Sequence, residues 1–157
     1  MTIRANAFVL KKDIDLPHGA IFCVDKRWFL RALIHRGWRE GDLEVGIHLV
    51  TAEDHTIELP TNALTLADGL AYEARVMGEV SGPGAPPKAS LVWRADGGHA
   101  IAMDDLFMCL SGKKAMSIQK TSAYFATRWG VWVIDADGKD VSREPLAIVD
   151  ADVVAKL

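Results

Sequence analysis

The sequence predicts an α+β domain: a mainly antiparallel sheet built from hairpins, with one main helix over about residues 25–36 packed on it and one or two further short helices. Three observations lead there. Apolar and polar residues alternate strictly in segments such as Leu43–Val50. Asp-Gly pairs at 96–97 and 137–138 separate apolar runs, as hairpin turns do. The stretch Asp25–Arg36 has good helix formers between a capping residue and Gly37.

From the N-terminus, Ala5–Leu10 reads as a short strand. Pro17-His18-Gly19 is a turn, and Ala20–Val24 a short apolar strand leading into the helix. Asp25 can cap that helix and Gly37 can close it. At helical spacing Arg27, Arg31 and His35 form one stripe, and Trp28, Phe29, Leu30, Ala32, Leu33 and Ile34 fill the rest of the circumference. A helix that apolar is buried on more than one side.

Leu43–Val50 has Leu43, Val45, Ile47 and Leu49 on one face, and Thr56–Leu59 continues the pattern. Matching the apolar faces pairs odd residues with odd ones, through a loop at Ala52–Asp54. Tyr72–Val80 alternates again. Ser81–Lys88, SGPGAPPK, is too rich in Gly and Pro for a helix or a central strand and reads as a surface loop. A two-residue turn at Asp96-Gly97 pairs Arg94 with His99 and Val92 with Ile101. Asp104–Leu110 and Ser117–Trp129 read as short helices, with a strand as the alternative for SAYFATRW in the second, and Val131–Ile134 reads as a strand. The terminal run ends in a helix capped by Asp150 or Asp152. The 157 residues form one domain, with half of them hydrophobic and a quarter charged.

Net charge is −3, from 18 basic and 21 acidic residues, which excludes wholesale coating of nucleic acid. Against that balance, Lys26–Arg39 holds five basic residues and no acidic one. Cys23 and Cys109 lie in apolar runs and read as buried free thiols. No signal-peptide pattern occupies Met1–Leu10, and no apolar run approaches the roughly 18 residues of a membrane span. The expected compartment is the cytoplasm.

Catalytic signatures fail one by one. Gly112-Lys113 is followed by Lys114, which breaks the phosphate-loop pattern. Dinucleotide, nucleophile-elbow, C-x-x-C and H-x-x-x-H patterns do not occur, so no cofactor and no metal is expected. His48 and His55 fall on opposite faces in the register above, with His48 beside Glu58. A Cys109–His99 dyad would need a partly exposed thiol, against its apolar neighbours. Asp135 and Asp140 face each other across the Asp137-Gly138 turn without the ligand spacing of a calcium loop.

The functional expectation is a non-enzymatic protein-interaction module of inhibitor, immunity or assembly type. Its contact residues are Arg27, Arg31, His35, Trp38 and Arg39, set against an acidic protein surface. The alternatives are a small enzyme with a cleft hidden from sequence spacing, and a local nucleic-acid binder using the basic 26–39 segment.

Overall fold

The computed structural model describes residues 5–35, 41–111, 115–116, 118–119 and 122–156. The regular structure of the described chain is mostly antiparallel strand, and this overturns the α+β expectation. In chain order the strands are β1 (Phe8–Lys12), β2 (Ile21–Val24), β3 (Arg27–His35), β4 (Asp42–His48), β5 (Asp54–Thr56), β6 (Asn62–Leu66), β7 (Ala71–Val76), β8 (Ser81–Gly84), β9 (Leu91–Trp93), β10 (His99–Ala102), β11 (Leu106–Cys109), β12 (Ala115–Met116), β13 (Ile118–Gln119), β14 (Ala123–Ala126), β15 (Arg128–Ile134) and β16 (Ala147–Asp150). Single 3₁₀ turns stand at Ala5–Ala7 and Asp13–Asp15. The one α-helix among the described residues, α1 (Ala151–Val154), is capped by Asp150, whose carboxylate accepts from the Asp152 and Val153 amides.

Three sheets result. The first runs β1-β6-β2-β3-β4-β5, with β12 pairing in parallel beyond the reach of β2, along Ile34 and His35 of β3. The second runs β13-β11-β10-β9-β14-β8 and the third β16-β15-β7. Their inner faces meet in one cluster, with Leu30, Ile34, Val45 and Ile47 from the first sheet, Leu91, Ile101 and Met108 from the second, and Trp129, Val131 and Val149 from the third. Trp129 is fully buried, and its indole N–H donates to the Ala89 carbonyl at 2.9 Å.

The expected main helix is a hairpin. Asp25 and Lys26 both have positive φ, 50° and 64°, and join β2 to β3 with Val24 opposite Arg27. That is the conformation of a type I′ turn, here made without glycine. Residues 28–32 are buried without a break, because β3 is covered on both faces. A strand buried on both faces loses its period of two and cannot be told from a buried helix by pattern alone. The two Asp-Gly pairs make a different turn. Gly97 donates to the Arg94 carbonyl, and the Arg94 amide donates to the Gly98 carbonyl, so the loop has three residues. The register therefore becomes Trp93 opposite His99 and Val92 opposite Ala100, one residue from expectation. Asp135–Lys139 repeats the arrangement, with Gly138 at φ 78°. A type I turn followed by a left-handed glycine also selects Asp-Gly.

Other segments change for local reasons. Ser81–Gly84 is a strand on the edge of the second sheet, where a proline costs no ladder hydrogen bond. The expected helices at 104–110 and 117–129 are strands in their described parts, β11 and β13–β15. Val45 pairs with Thr56 and Gly46 with His55, so the odd-with-odd register fails. Ala52, at φ 58°, turns the chain tightly after His48 and shifts the parity. Ile57 then packs on the outer face of the first sheet with Leu16, Phe22, Phe29 and Ala63.

Candidate functional site

The outer face of the first sheet gathers most of the chemistry that the sequence displays. Along β3 it carries Arg27, Phe29, Arg31, Leu33 and His35, by the alternation of the strand. The neighbouring β4 sets His48 opposite Phe29, Gly46 opposite Arg31, Glu44 opposite Leu33 and Asp42 opposite His35. His55 of β5 stands opposite Gly46. Of the five histidines in the chain, His18, His35, His48 and His55 thus belong to this one face.

At its centre Phe22 and Phe29 stack, with ring centroids 5.4 Å apart. They lie over Gly46, where an added Cβ would come within 2.8 Å of Phe22 Cζ. Above the rings opens a groove of about 340 Å³. Arg27, His55, Ile57, Glu58, Leu59 and Thr61 form its rim. Leu59 is 80% exposed there, a large apolar side chain left in water beside an aromatic floor. Asp13 closes one end, and its carboxylate accepts from the Ile14 and Thr61 amides.

The Phe29 ring touches both imidazoles, with centroids 5.5 Å from His48 and 5.6 Å from His55. These two histidines therefore share a face, contrary to the register expected from sequence. His48 Nδ1 meets the Thr51 hydroxyl at 2.9 Å, not Glu58. Partial burial depresses the His48 pKa below its ordinary value, and the nearby Arg27 and His55 charges depress it further, while Glu53 pulls the other way.

The remaining expected contact residues separate. Arg27 is exposed at the start of β3. Arg31 is only 2% exposed, because the Pro17–Gly19 turn lies against it: the Gly19 amide donates to the Arg31 carbonyl and the Arg31 amide to the Ala20 carbonyl. Its Nη1 meets Glu44 Oε2 at 2.5 Å, and His18 Nε2 meets the same oxygen at 2.8 Å. Burial alone would raise the Glu44 pKa, but the hydrogen bonds from His18 and Arg31 outweigh it and hold the carboxyl below its usual range. Arg31 is thus occupied within the chain and closed to a partner. His35 is exposed but paired with Asp42. Four-residue spacing puts Arg27, Arg31 and His35 on one face of a strand as of a helix, but over about 26 Å from first to last. Trp38 and Arg39 lie outside the described residues.

Elsewhere, Ala100 stands opposite Cys109, so the pleat directs the His99 and Cys109 side chains to opposite faces. Arg94 Nη1 contacts the Cys109 sulfur at 2.8 Å instead. Asp135 faces Lys139, and Asp140 faces Ile134. Asp140 accepts both terminal nitrogens of Arg75, at 2.5 and 3.2 Å, so the expected carboxylate pair does not form. The Arg75 guanidinium also lies 5.2 Å from the Trp132 ring centroid. Among the described residues, no three of His, Cys, Asp and Glu converge as metal ligands. No described helix is long and apolar enough to cross a membrane.

No protein-family model, curated protein or solved structure matches the chain.

Proposed function

We propose that the chain is a non-enzymatic protein-interaction module whose contact surface is the groove on the outer face of the first sheet. The observation that carries this is the stacked Phe22–Phe29 floor, open above Gly46 and rimmed by Leu59 and Arg27. Aromatic and arginine side chains in a concave apolar patch are the usual anchors of binding energy. The partner is a protein segment that presents an apolar or aromatic side chain next to an acidic one, the apolar part for the rings and the acidic part for Arg27.

This keeps the acidic partner expected from sequence and moves the surface. Of the basic segment, Lys26 and Arg27 are exposed and Arg31 is sequestered. That weakens a phosphate-binding stripe, which needs several cations free at once. The two free cysteines suit a reducing compartment such as the cytoplasm, and that location is part of the proposal.

The test uses two exposed positions. Arg27→Glu with Leu59→Asp should leave stability within about 0.5 kcal/mol of the parent, since neither side chain is packed. The same pair should reduce capture of the binding partner from native lysate at least tenfold, measured by quantitative mass spectrometry against the unaltered chain. Full retention of that partner would place the working surface elsewhere.

A further inference from the structure

We propose that the Arg27–His55 end of the groove, with His48 against the Phe29 ring of its floor, is a proton-linked carboxylate site, binding an aryl- or alkyl-carboxylate group more tightly as the pH falls. This rests on the groove being a binding surface, and it names what the groove recognises and what regulates it.

Two imidazoles meet on one aromatic ring, and Arg27 lines the same groove. Phe29 contacts both imidazoles, and Arg27 lies two residues before Phe29 on the same face. The carboxylates nearest this trio in the fold are engaged or turned elsewhere. Glu53 is held by Lys88 at 2.8 Å, and the Asp13 carboxylate is spent on two backbone amides. Asp54 stands opposite Ile47, a register position on the other face of the sheet. Glu58 is an exposed residue on the groove rim. The Thr51 hydroxyl takes the Nδ1 of His48.

The consequence follows from linkage. Protonation of His48 is opposed by partial burial, by Arg27 and by His55, against a smaller opposite pull from Glu53. A carboxylate that enters beside Arg27 reverses the sign of that local field. The bound state then takes up a proton from solvent onto an imidazole, so binding strengthens as pH falls through the range where histidine titrates, around pH 6.5. The aromatic floor adds a requirement for an apolar body next to the carboxylate.

The probe pair is 3-phenylpropanoate, a phenyl ring with one carboxylate, and its uncharged amide. Their binding to the full chain can be followed by NMR through the imidazole C–H signals, at pH 7.5, 6.5 and 5.5 and up to about 10 mM. The carboxylate is expected to bind about tenfold more tightly at pH 5.5 than at 7.5, the change that a one-unit rise of an imidazole pKa on binding gives. The His48 signals should then titrate at higher pH when it is bound, and the amide should show no pH dependence. His48→Gln and His55→Gln together should flatten the carboxylate profile without abolishing binding to the rings. Equal pH profiles for the acid and the amide would overturn the proton link and leave the groove as a surface intact. An unchanged profile in the doubly substituted chain would do the same. No binding of either probe would overturn the site itself, while the Arg27/Leu59 capture result still decides the interaction surface independently.

Discussion

Replacing Trp129 by alanine is expected to cost about 4–5 kcal/mol, the upper part of the range for deleting a large buried aromatic. The indole sits in the cluster common to all three sheets, and nothing of it reaches solvent. Its removal leaves a cavity between the third sheet and the strands facing it. It also strips the Ala89 carbonyl of its indole donor, and an unpaired buried acceptor adds about 1–3 kcal/mol of desolvation cost. Part of that overlaps with the cavity cost, since the two changes relax together. Trp129→Phe should keep most of the apolar volume and fall clearly below the alanine variant. Urea denaturation of both variants checks this, and a cost under about 2 kcal/mol for Trp129→Ala would show that the three sheets do not share a close-packed centre.

Glu44→Leu is the second large effect, at about 2–3 kcal/mol. The change leaves the buried Arg31 guanidinium with the Ala32 carbonyl as its hydrogen-bonding partner, at 3.2 Å. Breaking a buried ion pair usually costs more, but the Glu44 side chain is 39% exposed, so solvent screens part of the interaction. Glu44 titrates at lower pH in the folded chain than its ordinary 4.5. Its contribution is therefore present above the unfolded pKa and lost as pH falls through the folded one. The difference between parent and variant should shrink steadily below about pH 4.5. Adding Arg31→Met to Glu44→Leu should restore much of the loss, because the stranded cation is then gone. A double variant no better than the single one would mean that Arg31 is not electrostatically dependent on Glu44.

Much of the sheet was legible in the sequence, and the part that was not has a common cause. β4 and β7 keep an alternation that is visible in the sequence, β2 stands out as a short apolar run, and Asp150 announces its helix by its position. The Asp25–His35 region misleads because both faces of β3 are covered, which erases alternation. Its turn has positive φ at an Asp and a Lys, where glycine would have flagged it. The Asp-Gly pairs mark real hairpins, but the dipeptide serves two turn types that differ by one residue of register. Of the site, Arg27 was visible as an exposed cation. The Phe22–Phe29 floor was not, since stacking across β2 and β3 depends on a pairing that a helix would not have. Arg31 was misassigned for a related reason: its partner Glu44 is remote until β3 and β4 lie side by side. A signal for the groove did exist in Gly46, a glycine inside an otherwise regular strand pattern, which often marks a close approach by neighbouring groups.

The most direct test of the functional reading is amide hydrogen exchange on the full chain, free and bound to the partner it captures. Binding at the groove predicts new protection over residues 24–29 of the β2–β3 hairpin and 55–61 beside it, with the outer face of the third sheet around Trp132 unchanged. Protection confined to Trp132, Ile148 and their neighbours, with residues 24–29 and 55–61 exchanging as in the free chain, would contradict it.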